Sequence, residues 1–463
     1  MPARDSPGRS FIIGVGCTKF IKPRGLRNVE DMGLQAATKA LLDAGITYDA
    51  VETAFVGYCY GDSTTGQRAL YYLGLTGIPV TNVNNNCSTG STALYLASTQ
   101  VKFGLVDCAL ALGFEQMARG SLKANFPDRP NPLQPSMDRM IELEKNLGHE
   151  NFGPWAPRIF ANAGQEYFDK YGGNVETLAK IASKNHKHSV NNPYSQFTDG
   201  WSVEQVLNAP KVTSQLTKFM CSPTSDGAAC CIVASERFVH AHKLENQAIE
   251  IVGQGLATDG HEAFESNSPM ELVGYGMSKR CAEDVFRQAG FAPGKGRDQV
   301  GVVELHDCFA SNELITYDAL GLCAPGEAHE MVDDGDITYG GKYVINPSGG
   351  LEAKGHPLGA TGLGMHFYIT MQLRNWAGPM QAPGLFDISD PRGKFGLVHN
   401  IGLGGAVVVS LLRRPEFFSE GGTDGRKRLG HNHAHEVRPV TMADVDRVKS
   451  KHSSPFILRR AKL

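Results

Sequence analysis

An internal rhyme restricts what this chain can fold into. In the first half a polar turn, Asn84-Asn85-Asn86-Cys87-Ser88-Thr89-Gly90, opens a helix of small residues, and that half closes on Asp226-Gly227-Ala228-Ala229-Cys230-Cys231-Ile232-Val233. In the second half Gly355-His356-Pro357-Leu358-Gly359-Ala360-Thr361-Gly362 opens a helix, and Gly404-Gly405-Ala406-Val407-Val408-Val409 closes it. A helix-opening turn followed by a glycine-led apolar strand, met twice, reads as a duplicated unit of roughly 200 residues. The competing reading is chance recurrence of common α/β elements. Strands and helices alternate along most of the chain, which places it in the α/β class. Strands are expected over 11–15, 54–58, 108–112, 227–234, 248–258, 300–305 and 404–412, and helices over 29–45, 88–103, 270–289 and 309–320. From about 117 to 220 the alternation weakens and proline, asparagine and charge rise. That stretch reads as an insertion with helices near 160–171 and 176–188.

Composition excludes several classes. Hydrophobic residues are 41% and charged residues 20%, a globular balance. No apolar run approaches the ~18–20 residues of a membrane helix. A net charge of −3 argues against nucleic acid as the main partner. The charge is uneven: the segment from Glu416 carries +4 and the remainder −7. This polar tail, with His431, His433 and His435, reads as a solvated extension. The N-terminal MPARDSPGRS lacks an apolar stretch and reads as neither secretory signal nor transit peptide. The ten cysteines form no CxxC pair, so reduced thiols are expected, with Cys230 and Cys231 in a buried strand. The terminal Ala461-Lys462-Leu463 is a variant of the Ser-Lys-Leu peroxisomal address. It predicts a peroxisome or glycosome-like organelle and its import receptor as partner, with the mitochondrion as the alternative.

Chemistry concentrates at a few turns. Cys87 stands where an asparagine-rich turn meets a helix, where free N–H groups and the helix dipole favour a thiolate and can hold an oxyanion. The plainer reading is a helix-capping cysteine without reactivity. Glu304-Leu305-His306-Asp307-Cys308-Phe309 follows an apolar run, so these groups emerge at the C-terminal end of a probable parallel strand, the usual place for ligand contacts in open α/β sheets. On a regular strand His306 and Cys308 face the same way. His356 lies in a glycine-rich turn before a helix. Two histidines and two cysteines at element edges make a plausible nucleophile and acid–base set. No ligand pair has the short spacing of a zinc site, so no metal is expected. The His399–Ala406 turn fails the dinucleotide pattern because a strand, not a helix, follows it; backbone N–H groups offered to an oxyanion suit it better. His186 and His188 read as part of a solvated basic loop rather than as contacts to an anionic cofactor.

Taken together, these blocks resemble the thiolase superfamily, and most of all its sterol-carrier-protein-type branch (the thiolase part of sterol carrier protein x). The resemblance covers about 10–415 and rests on Asn-Asn-Asn-Cys-Ser-Thr-Gly at 84–90, His-Asp-Cys-Phe at 306–309 and Gly-His-Pro-Leu-Gly-Ala-Thr-Gly at 355–362. Better-known thiolases carry Asn-Glu-Ala-Phe at the second block and a Cys-x-Gly loop where this chain has Asn400-Ile401-Gly402, so Cys308 supplies the second thiol from another direction. The resemblance implies a duplicated, five-layered αβαβα fold with an inserted loop domain. The implied division is an N-terminal half of 1–116 plus 221–245, a loop domain of 117–220, a C-terminal half of 246–415 and an extension of 416–463. It further implies a homodimer or homotetramer, acyl-CoA and CoA as substrates, and no tightly bound cofactor. Cys87 would be the acylated nucleophile, with its own N–H and that of Gly402 holding the tetrahedral oxyanion. His306 and His356 would hold the enolate oxygen and Cys308 would act as acid and base. A ketoacyl-synthase-type condensing enzyme and an inactive acyl-CoA-binding subunit are the alternatives. The tail is too short and polar for the lipid-carrier module that some relatives append, so sterol transfer is not implied.

Overall fold

The computed structural model describes residues 8–118, 122, 124–149 and 152–463. The first seven residues, which begin the N-terminal stretch weighed above as a targeting segment, lie outside them. Strands β1 (Ser10–Cys17), β2 (Thr53–Gly57), β3 (Val80–Val83), β4 (Cys108–Glu115) and β5 (Gly227–Ser235) belong to the first half. Strands β6 (Ile249–Ala257), β7 (Val300–Glu304), β8 (Val344–Ile345), β9 (Phe395–Gly402) and β10 (Ala406–Arg413) belong to the second. They pair in the order β3-β2-β4-β5-β1-β6-β10-β9-β7-β8.

Read outward from its centre, that order is the same in both directions. β1 and β6 each pair antiparallel with the last strand of their own half, and each half ends in a parallel trio, β4-β2-β3 and β9-β7-β8. The duplication read from the two turn-and-strand rhymes is therefore present in the topology. Within the sheet, the β1–β6 pairing that joins the halves is short, Phe11 with Glu250 and Ile12 with Ile249.

Helix α1 (Val29–Ala44) packs on the outer face of the first half, where Gly14 and Gly16 of β1 admit the backbone of Ala40 and Ala36. Two more helices, α2 (Thr89–Lys102) and, further along the chain, Leu358–Arg374, open at the rhyming turns and pack together between the halves. The insertion contributes α3 (Gln134–Leu147), α4 (Trp155–Tyr171) and α5 (Val175–Ser189). Then α6 (Tyr275–Gln288) covers the second half as α1 covers the first, with Gly253 and Gly255 of β6 admitting Val285 and Cys281. The one helix expected over 270–289 is two, because Gly274 at φ 91° separates Pro269–Leu272 from α6. After α7 (Ala310–Ala319), Leu358–Arg374 is α8. The layers run α1, half-sheet, α2 with α8, half-sheet, α6.

Because both faces of the sheet are covered, β1, β4, β5, β9 and β10 are buried at every residue. Their alternate side chains feed different cores. On β5, Ala228, Cys230 and Ile232 join the α1 side, while Ala229, Cys231 and Val233 join the inner core.

The tail departs from the solvated extension expected of it. His433 is fully buried, and Val440, Val445 and Val448 pack into the core beneath α1. Polar composition misled here because the tail's polar groups have buried partners. Arg428 bonds the carbonyls of Leu42 and Asp43, and His433 lies 3.8 Å from the Asp43 carboxylate. The last residues are docked too: the Lys462 amide donates to Asp31 at 2.8 Å, and Ala461 packs at the edge of the core.

Asp43 and Arg374, both fully buried, pair at 2.7 Å and tie the end of α1 to the end of α8. Arg374 also donates to the carbonyls of Gln247 and Ile13, beside the β1–β6 joint. Removing one member of such a pair leaves a buried charge uncompensated, which costs about 3–5 kcal/mol. Arg374→Met should therefore lower unfolding stability by about that amount. Urea unfolding checks it, and a variant as stable as the parent would show that Asp43 does not need its partner.

Candidate active site

Cys87 sits two residues before α2, in a turn that asparagines build. Asn86 takes the left-handed conformation at φ 52°, and the Ser88 and Thr89 amides bond back to the carbonyls of Asn85 and Asn86. The Asn86 side chain donates to the Leu403 carbonyl at 3.0 Å, and the Leu403 amide in turn reaches the Cys87 sulfur. The Cys87 turn is thus bonded to the β9–β10 hairpin. Gly402 lies against the Asn85 carbonyl and Ser88, one residue short of that amide.

His356 sits two residues before α8. Its amide donates to Ser225 Oγ at 3.0 Å, and its Nδ1 faces Thr361 Oγ1 at 2.8 Å. Thr361 gives its own hydrogen to the Pro357 carbonyl, so His356 Nδ1 is the donor of that contact and Nε2 keeps a lone pair. Nε2 is buried and has no hydrogen-bond partner among the described residues.

His306 and Cys308 lie just beyond the end of β7, not on it. The Asn400 amide donates to His306 Nδ1 at 2.9 Å, which leaves the hydrogen on Nε2. Side chains still alternate along this loop. Asp307 turns away and accepts from the amides of Leu351 at 2.7 Å and Glu352 at 3.2 Å. Behind it Asn185 Nδ2 donates to Asp307, Glu313 and Glu352, and Lys184 pairs with Glu313. The Cys308 carbonyl accepts from the Ser222 amide at 2.9 Å.

The structure thus brings Cys87, His306, Cys308 and His356 to one cavity of about 440 Å³, roofed by Trp155, Pro157 and Phe160 of the insertion. The Cys87 sulfur and one nitrogen of each histidine lie within 4.8 Å of one another. The two imidazole rings meet edge to face, 5.0 Å apart.

Burial sets the charge of the site. It pushes the Cys87 thiol up to about 12, with help from the Glu115 carboxylate and against the backbone N–H groups of Leu403 and Cys87. The lowered thiol expected at a helix start is therefore not found; desolvation outweighs the N–H groups. Burial also takes His356 down to about 3 and His306 well below its usual value, aided by the Lys354 cation. Cys308 is pushed well above the ordinary thiol range by burial, then by Cys87 and Asp307. At neutral pH the four groups rest as two thiols and two neutral imidazoles.

His186 and His188 are likewise not in a solvated loop. They are buried on different faces of α5, bonded to the carbonyls of Phe219 and Asn346, and burial holds them neutral at about 4 and about 3. Glu115, Asn185, Thr361 and Glu352 support the site but drew no notice as sequence. Thr361 lies inside a singled-out block, five residues after His356, and Asn185 lies in the 184–189 segment read as a solvated loop; Glu115 and Glu352 carry no local signal.

Residues 10–237 match the family model of the thiolase N-terminal domain, and residues 260–409 match the thiolase C-terminal domain-like model. Chicken (Gallus gallus) sterol carrier protein 2 is 53% identical over 425 residues, 91% of this chain and 75% of that one. The benzoylsuccinyl-CoA thiolase subunit BbsB of Thauera aromatica is 34% identical over 81% of this chain and 90% of its own. The solved structure of human mitochondrial 3-ketoacyl-CoA thiolase in complex with CoA matches over 88% of this chain and 98% of that one, with a TM-score of 0.61 at 18% identity, a likeness of fold. With both family models matched across most of its length, the chain belongs to the thiolase family of acyltransferases.

Proposed function

We propose that this enzyme is a 3-ketoacyl-CoA thiolase, which cleaves a 3-ketoacyl-CoA, straight or 2-methyl-branched, with CoA through an acyl-cysteine. The observation that carries the reading is the unpartnered Nε2 of His356 in a cavity shared with Cys87, His306 and Cys308. A thiol at about 12 beside an imidazole at about 3 does not form a resting ion pair. His356 Nε2 therefore takes the Cys87 proton as the sulfur attacks the keto carbon, so that the charge appears on the substrate oxygen. Backbone N–H groups of Cys87 and of the Gly402–Leu403 turn hold that oxyanion. Carbon–carbon cleavage then expels the enolate of a shortened acyl-CoA. Its oxygen meets the Nε2 hydrogens of His306 and of the newly protonated His356. Cys308 gives its proton to the enolate carbon, and the resulting thiolate removes the proton of incoming CoA. The CoA sulfur then takes the acyl group from Cys87, whose departing sulfur recovers its proton from His356 Nε2 and restores the resting thiol and neutral imidazole. The apolar roof of the cavity suits an acyl chain.

The enzyme is further proposed to work as a homodimer or homotetramer, in a peroxisome addressed by Ala461-Lys462-Leu463, on the degradative side of acyl-CoA metabolism. Deleting these three residues should move the protein to the cytosol with activity unchanged. Unaltered organellar location in fractionated cells would point to another signal.

The raised thiol of Cys87 has a direct consequence. Its alkylation by iodoacetamide should accelerate about tenfold per pH unit from pH 7 to pH 10, because only the thiolate reacts. A rate that levels off below pH 9 would mean that the helix-start N–H groups prevail over burial.

Cys87→Ala should abolish the covalent acyl-enzyme seen by intact-protein mass spectrometry while CoA binding persists. Cys308→Ala should still acylate Cys87 but lose roughly 10²–10⁴-fold in turnover, the range for acid–base assistance, or about 3–5 kcal/mol of barrier. KM should change little, since proton transfer is a transition-state contribution. Cys308→Ser should restore little of it. Thiolysis by Cys308→Ala within about threefold of the parent would instead assign Cys308 a packing role.

A further inference from the structure

Cys87, His306 and His356 also form a ligand set. Their donor atoms lie within 4.8 Å of one another, all three residues are buried, and among the described residues theirs is the one group of three or more His, Cys, Asp or Glu that close. The donors, one thiol and two neutral imidazoles, suit a borderline-soft cation and not calcium or magnesium, which prefer oxygen. Metal-ligating histidines hold their second N–H on an oxygen, which fixes the ring and raises its basicity. His356 already does this through Nδ1 and Thr361 Oγ1, and its Nε2 is the buried, unpartnered atom that faces the group. His306 would do the same if the Asn400 amide turned over. Asn400 Oδ1 has no partner now, so the turn breaks no other hydrogen bond of that oxygen. The cavity of about 440 Å³ leaves room for a water as fourth ligand, as in open zinc sites. Spacing along the sequence hid this set, because its members come from three separate turns.

We propose that Cys87, His306 and His356 form an inhibitory site for a thiophilic divalent cation, zinc above all, which binds in place of the acyl substrate. Coordination breaks the Cys87 S–H bond, forms a metal–sulfur bond and releases one proton to solvent, with no electron transferred. Binding rests on the geometry alone; the loss of turnover rests on the proposed role of Cys87.

The test uses the full, reduced protein and Co²⁺ as a spectroscopic stand-in for Zn²⁺. One Co²⁺ per chain should bind with a thiolate-to-cobalt band and the visible absorption of a four-coordinate ion. Zn²⁺ should displace it, and the bands should be lost in Cys87→Ala and His356→Ala but kept in His431→Ala/His435→Ala. Because a core variant can fail to fold, the unmodified protein provides a second measurement: Zn²⁺ should protect Cys87 from alkylation, and EDTA should reverse the protection. Absence of stoichiometric binding, equal binding by Cys87→Ala, or loss of binding with the tail histidines would overturn the site. Cobalt bound as described with thiolysis undiminished would leave the site standing and overturn the nucleophile role of Cys87.

Discussion

Two helices that touch through glycine hold this site together. The Gly359 carbonyl of α8 lies where a Cβ on Gly113 would come within 2.1 Å and one on Gly90 within 2.7 Å. A Cβ on Gly359 would in turn meet the Phe114 carbonyl at 2.4 Å. No larger residue fits such an approach without moving backbone. Since α2 and α8 occupy equivalent places in the duplicated halves, their contact brings two equivalent turns together, Cys87 from one and His356 from the other. The distance between the two is thus set by backbone packing. That matters because a misplacement of about 1 Å in a reacting pair costs on the order of 10²-fold in rate.

Close packing also dries the site, and dryness decides its charge. A buried pair of thiolate and imidazolium would need strong compensation. The surroundings supply the opposite: Glu115 repels a thiolate at Cys87, and Lys354 repels a proton on either histidine. Glu115 is itself buried, and its carboxylate accepts from the amides of Cys59, Tyr60 and Gly359, so it also pins the start of α8 to the first half. Burial has pushed it up to about 7 against those three amides. In the proposed reaction charge would therefore appear in this site only as bonds to substrate form, which favours stabilisation of a transition state over that of a resting ion pair.

The sequence made the duplication, the sheet elements and four cavity residues legible for a definite reason. Each was announced locally, by a glycine-rich turn, an apolar run or a reactive residue at an element edge. What it concealed were effects of summed environment. A helix start lowers a thiol in water, but Cys87 is not in water. Lys184-Asn185-His186-Lys187-His188 looks basic and solvated as a string, yet its helix is packed on several sides, and Lys184, Asn185, His186 and His188 are all buried. His433 reads as part of a histidine-rich tail and lies in the core beside Asp43, a partner 390 residues away. Long-range pairing of polar groups leaves no local pattern, so the tail's burial and the support residues Glu115 and Glu352 had to come from the fold.

The insertion shows the same principle at the reacting centre. Its helix α5 supplies Lys184 and Asn185 to three buried carboxyls, Asp307, Glu313 and Glu352. One cation cannot balance three carboxylates. Glu313 takes Lys184 and the Tyr317 hydroxyl, while burial and the neighbouring carboxyls hold Asp307 and Glu352 well above the ordinary carboxylic range. Asp307 accepts two amides at the start of the short helix Gly350–Lys354, which leads directly into His356. A single side chain between His306 and Cys308 therefore anchors the segment that carries His356, and α5 of the insertion anchors that side chain. Cys87 from one half and His306, Cys308 and His356 from the other thus share one frame, which the inserted segment braces from behind.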